Sequence, residues 1–206
     1  MEQEGAKTAA AAGMPLKPEK VAIEIAPEQV ESFYPMLQRG VTVQAELGRP
    51  LRELLCGQFG IPAQYVEGRI TTIFLDNHPV DDLDRPLVRE GARVTLSAAM
   101  PGLVGATMRR SGFYSALRQG ISHAEAADEA ASGEGSVRLK LFNLLLPELS
   151  PLILARGILL QQDELAVLVR DLEQASASPA APTASCLGSR GTVLLRVTVR
   201  GGSAAP

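Results

Sequence analysis

Five side chains of metal-binding type crowd into residues 76–84: Asp76, His78, Asp81, Asp82 and Asp84. Carboxylate oxygens suit magnesium or calcium, and an imidazole beside them suits zinc. The run lacks the glycine and spaced carboxylates of a calcium loop, so it reads as a solvated hairpin turn and no metal is assigned. "HAEAADE" carries His123, Glu125 and Asp128. A His-x-Glu pair serves zinc deaminases only with a following Pro-Cys-x-x-Cys, which is missing, so the stretch reads as a polar linker helix. "GLVGATMRRSG" sets Gly102 and Gly105 before Arg109 and Arg110. A GxxG loop clamps a nucleic-acid backbone when it is basic and joins two helices; this one follows a strand. Arg109 and Arg110 are therefore the candidate contacts for a partner carrying acids or phosphate. Cys56 and Cys186 form no CxxC and have no neighbouring His. Cys56 reads as a half-buried small residue, and nothing beside Cys186 lowers its pKa enough for catalysis. With no P-loop, dinucleotide fingerprint, HExxH or GxSxG, the expectation is a non-enzyme without a cofactor.

The elements that must position these residues follow from periodicity. "KVAIEIAP" alternates with period two and places Val21, Ile23 and Ile25 on one face of a strand. "PEQVESFYPMLQRG" predicts a short helix broken or kinked at Pro35, and "GVTVQAEL" a second strand. Pro50 suits a helix first turn, and Leu51, Leu54, Leu55 and Phe59 fall on one face after it. Strands follow at 70–75 and 92–98, with Asp76-Asn77-His78-Pro79 turning between them on residues that tolerate left-handed angles. Residues 103–120 are loosely helical. "SVRLKLFNLL" is a strand with Val137, Leu139 and Leu141 on one face, and "ARGILLQ" is a short one. "QDELAVLVRDLEQA" is a helix with Asp163 as N-cap and Leu165, Leu168, Val169 and Leu172 inward. Residues 174–190 read as a flexible surface segment, and residues 192–199 close the chain's strands.

Bulk properties narrow the class. The chain has 206 residues, 46% apolar, 4% aromatic and no Trp, so aliphatic side chains fill the core. A net charge of −3 gives no general electrostatic case for nucleic acid. The N-terminus lacks an apolar h-region, so no secretory signal is read there. The most apolar run, "LFNLLLPELSPLILARGILL", is interrupted by Asn143, Glu148, Arg156 and two prolines, and a membrane span needs about 20 mostly apolar residues. The expectation is a soluble cytoplasmic protein that contacts neither membrane nor nucleic acid.

A sequence order repeats: strand, Gly-led strand ("RGVTVQAEL"; "RGILLQ"), Leu-rich helix, closing strand ("ARVTLSAAMPG"; "LLRVTVRGG"). It predicts a duplicated α+β fold: a disordered 1–19, one lobe at 20–112, a helical polar connector at 113–135, a second lobe at 136–202 and a flexible tail at 203–206. Residues 41–102 resemble the ubiquitin-like β-grasp domains, in particular the small sulfur carriers of molybdopterin and thiamine synthesis (MoaD and ThiS types). The resemblance rests on "VTVQAELGRPLRELL" and on "TTIFLDNHPVDDLDRPLVREGARVTLSAAMPG", with turns at Asn77-His78 and Arg89-Glu90-Gly91. Residues 137–202 resemble the same family more faintly. It implies two small β-grasp-like lobes and a non-catalytic protein acting through protein–protein contacts. It also implies an alternative, a carrier whose terminal Gly201-Gly202 enters an activating enzyme's slot. This chain departs there: Ser203 to Pro206 cover the glycines, so activation at Gly202 requires trimming of those residues.

Overall fold

Alternating apolar residues become strands with one buried face. The structure, a computed structural model, describes residues 18–118, 132–174 and 191–201. The strands are β1 (Glu19–Ile25), β2 (Val41–Leu47), β3 (Thr72–Leu75), β4 (His78–Pro79), β5 (Arg93–Ser97), β6 (Gly133–Phe142), β7 (Ile158–Gln161) and β8 (Thr192–Val199). The helices are α1 (Tyr34–Arg39), α2 (Ala63–Gly68), α3 (Gly102–Met108), α4 (Leu145–Arg156) and α5 (Gln162–Gln174). The fold is α+β. All the strands join one mixed sheet in the order β1-β8-β7-β2-β6-β5-β3-β4. Val21, Val43, Leu139, Leu96, Ile158 and Leu195 share a buried face with helix residues such as Leu54, Leu149, Ile153 and Leu168 in one core.

Chain connectivity crosses the expected lobes. β6 lies between β2 and β5, antiparallel to the first and parallel to the second. Among the described residues β1 pairs only with β8, in parallel. Residues 20–112 and 136–202 therefore contribute interleaved strands to a single sheet. The strand β6 also begins at Gly133, inside the stretch expected to be connector; residues 119–131 lie outside the described part.

The strand pairings of the two halves of the sheet nevertheless match. From either end of the run β1-β8-β7-β2-β6-β5 the pairings are parallel, then antiparallel, meeting where Thr42 of β2 faces Leu159 of β7. Both helix-to-strand joints read Arg-Gly. Gly40 after α1 has φ 106° and ψ 128°, and Gly157 after α4 has φ 116° and ψ 140°. Positive φ is cheap only for glycine. A side chain at 40 would press on Arg138 and Lys140, and one at 157 on Leu194 and Arg196. Arg138 and Leu194 thus occupy equivalent places on the outward face of the two inner strands.

Other local outcomes have local causes. Asp76 and Asn77 have φ 49° and 67°, and Leu75 pairs with His78, so a two-residue loop closes the β3–β4 hairpin as the left-handed tolerance of Asp and Asn predicts. Pro79 sits on the edge strand, where its missing N–H leaves no partner unpaired. The expected helix at 27–39 is a 3₁₀ segment, Pro27–Phe33, followed by α1. Pro35 falls in the first turn of α1, where it starts a helix rather than breaking one. Asp163 is inside the first turn of α5, while Glu164 accepts from the Gln161 N–H.

Helix α4 was hidden by its own sequence, because prolines and an almost unbroken apolar run mask the period. Pro151 inside it costs about 3 kcal/mol. Leu145, Leu146, Leu149, Ile153 and Leu154 are buried, and each stabilises by about 1.5–3 kcal/mol, so packing outweighs the proline. Among the described residues no helix is long and apolar enough to cross a membrane.

Candidate interaction surface

The segment after β5 is fastened from below and apolar above. Gly102 has φ 75° at the start of α3, and a Cβ on buried Gly105 would overlap the Met100 carbonyl, so only glycine lets this helix fold back so closely. Arg110 turns inward, with a side chain 9% exposed. Its guanidinium donates to the Val66 carbonyl at 3.2 Å and to Glu67 at 2.8 Å, while its backbone N–H donates to Thr71 at 2.7 Å. Arg118 is buried too, donating to the Thr107 carbonyl at 2.7 Å and to Asp81 at 2.6 Å. These two arginines pin residues 102–118 to α2 and to the hairpin.

Large apolar side chains of this segment are exposed. Phe113 is 92% exposed, Leu117 76% and Leu103 72%, with Val104 and Tyr114 beside them in the chain also exposed. The Phe113 and Tyr114 rings meet edge to face at 5.1 Å. Arg109 is exposed on the same segment. Of the two arginines expected to meet a partner, Arg109 is exposed, whereas the charge of Arg110 is already paired with Glu67. The apolar members were not legible as a surface, since the sequence pattern there was only loosely helical. The signal available was Phe113-Tyr114 beside Gly112 in a chain otherwise poor in aromatics.

The carboxylates of the hairpin are dispersed by their partners. Asp76 accepts from the Arg93 N–H at 2.8 Å, Asp81 from Arg118, Asp82 from the Asp84 N–H at 2.9 Å, and Asp84 from Arg52 at 2.7 Å. The His78 ring Nδ1 lies 2.9 Å from the Asp76 carbonyl oxygen. No group of three or more metal-capable side chains converges among the described residues. Cys56 is half-buried, and burial raises its thiol pKa, which disfavours the nucleophilic thiolate. Cys186, His123, Glu125 and Asp128 lie outside the described residues.

Two ion-pair networks tie the helix layer together. Arg52 joins Asp84 and Glu67, and Arg69 and Tyr65 of the α2 region both donate to Glu148 on α4. The Arg69 hydrogen bond holds the Glu148 carboxyl below its ordinary value of 4.5, and the Arg52 hydrogen bond does the same for Glu67. Burial first, then the hydrogen bond to Glu148, raises the Tyr65 phenol. A carboxyl depressed on folding adds stability above its unfolded pKa and loses it as pH falls through the folded value. A phenol raised on folding adds stability below its unfolded pKa and loses it as pH climbs through the folded one. Denaturant titrations across pH will show stability declining on the acid side below the ordinary carboxylate range. Glu148→Gln should flatten that decline and Tyr65→Phe the alkaline one; unchanged slopes in both variants would remove these groups as the cause.

A cleft of about 480 Å³ marks the place where β7 stops short of covering β2. The Gln58 side chain closes that edge, accepting from the Glu46 N–H at 2.8 Å and donating to its carbonyl at 3.1 Å. Arg156 donates to the Gln44 carbonyl at 3.3 Å and stacks over Phe59. Gln58 ends a π-helical turn, Glu53–Gln58, where a Cβ on Gly57 would strike Glu53. These groups satisfy backbone left bare by the short β7 and are structural.

At the other end of the chain, β8 stops at Val199. The Arg200 N–H donates to Ile25 at 2.8 Å, its side chain pairs with Glu24, and Gly201 turns away with φ 72°. Gly202 and the residues after it lie outside the described part. Compared with known proteins, the chain matches no family model, no curated protein and no solved structure.

Proposed function

We propose that this chain is a non-catalytic, β-grasp-related protein that works by contact with another protein through residues 102–118. The observation that carries the reading is the exposure of Leu103, Val104, Phe113, Tyr114 and Leu117 on a segment whose underside is fixed by buried arginines. Large exposed apolar patches mark interaction sites, and these side chains, exposed within one short segment, supply the residues for one; aromatic side chains with an arginine are the usual anchors of such sites. A mixed sheet with a parallel inner pair and helices packed on one face is compatible with a β-grasp. The carrier reading at Gly202 draws no support from the turn at Gly201, and a chain ending at Gly202 in intact-mass measurement is what would restore it.

Photocrosslinking from position 113 in the source cells, with the exposed position 22 on β1 as control, tests the proposal. One saturable protein adduct is expected from 113 and none from 22. With the crosslinker kept at 113, Leu103→Asp with Leu117→Asp should abolish the adduct while leaving the melting temperature of the purified chain unchanged. Equal labelling from both positions, or an adduct that survives the double substitution, would sink it.

A further inference from the structure

The face of the sheet turned away from the core residues of β6 carries a charge pattern that the fold does not require. Arg93 on β5 is the register partner of Arg138 on β6, and Lys140 follows two residues on, so all three project from one face. Neighbouring strands lie about 5 Å apart and alternate residues about 7 Å apart, which makes this a tight group of cations. Arg39 adjoins it, its carbonyl accepting from Arg138 at 3.3 Å. None of the four forms an ion pair among the described residues. Like charges directly opposite across a ladder are destabilising. In the other half of the sheet the place of Arg138 is taken by Leu194, which is buried. Glycine at position 40 is what leaves room for the Arg138 and Lys140 side chains.

The surroundings limit what can bind. Glu134 faces Glu46 further along β6, and Glu90 accepts from Ser136 between them and Arg138. On another side, Asp163, Glu164 and Asp171 of α5 line the same cleft as Arg39 and Arg138. The basic patch is therefore short and rimmed by carboxylates. A nucleic-acid strand carries a charge about every 3.4 Å. Laid along β6 from Arg138, it would meet Glu134 within about 13 Å. A short acidic segment of a protein, with a few carboxylates on the cations and basic residues left for the rim, matches both signs.

We propose that the open sheet face at Arg39, Arg93, Arg138 and Lys140 docks an acidic segment of a partner protein. This is a second surface, separate from residues 102–118, and it rests on the reading of a partner-binding protein.

The full ¹⁵N-labelled chain titrated at low salt with an oligoglutamate peptide tests it. A single-stranded oligodeoxynucleotide and inorganic tripolyphosphate serve as the comparison anions. The peptide should shift the amides of 93, 138 and 140, and the binding should weaken with salt, as steering by charge requires. Arg93→Gln with Arg138→Gln should weaken binding by about tenfold or more. Arg138→Leu, which copies the other half of the sheet, should keep the fold and lose binding too. Lys20→Gln with Arg196→Gln changes net charge equally at the far half and should bind like the unaltered chain. Equal weakening in that control, absent shifts at 93, 138 and 140, or tighter binding of the oligonucleotide or tripolyphosphate would each overturn the proposal. None of these outcomes bears on the crosslink from 113, so the two surfaces fail or stand separately.

Discussion

Expressed apart, residues 18–118 and 132–201 will each lack a cooperative unfolding transition, and mixing them will restore one. The cause is the position of β6. Val137, Leu139 and Leu141 leave the second fragment without the strands they pack beside, and β2 and β5 in the first are left with an open gap between them. Burial of three such side chains is worth about 5–9 kcal/mol, comparable with the whole stability of a domain, about 5–15 kcal/mol. The same separation leaves β1 without β8, its ladder partner. A chain cut between 118 and 132 should run as one particle in gel filtration and fall apart only in denaturant. Circular dichroism and denaturant melts of the fragments decide the matter. Two independently folded fragments would restore the view of separable lobes and overturn the interleaved topology.

Phe33→Ala should remove about 3–5 kcal/mol of stability, while Phe113→Ala should change it by about 0.5 kcal/mol or less. Phe33 is fully buried where the 3₁₀ segment meets α1, in the core shared by both halves. Its truncation leaves a cavity that the helix and sheet close only in part. Phe113 touches little except the Tyr114 ring and is almost wholly in water, so its removal exposes nothing new. Its loss should appear instead in partner capture. Denaturation midpoints of the two variants test both numbers at once. If Phe113→Ala proved as destabilising as Phe33→Ala, residues 102–118 would be part of the folded core and could not serve as a free surface.

By itself the sequence determined the pieces that short-range chemistry controls. Alternation put β1, β2, β6 and β8 in place, with β8 running from Thr192 to Val199 as expected. The spacing of Leu51, Leu54, Leu55 and Phe59 marked one inner face, and all four are buried. Asp76-Asn77 specified a hairpin because their backbones accept left-handed angles. The Arg-Gly before both β2 and β7 marked two glycine joints, and Gly40 and Gly157 have similar backbone angles.

Tertiary structure decided what depends on partners distant along the chain. Strand pairing is one such case. β1, β2, β5 and β6 carry the same aliphatic alternation, so nothing local tells β6 to enter between β2 and β5. The two prolines of α4 argued against a helix until the core it fills was present to outweigh them. Adjacent Arg109 and Arg110 look alike in sequence, yet Glu67, 43 residues away, draws one inward and leaves the other in water. The exposure of Phe113 and the crowding of Arg93 against Arg138 are of the same kind. Burial and like-charge contact are properties of a pair of surfaces, and a linear pattern records only one member of each pair.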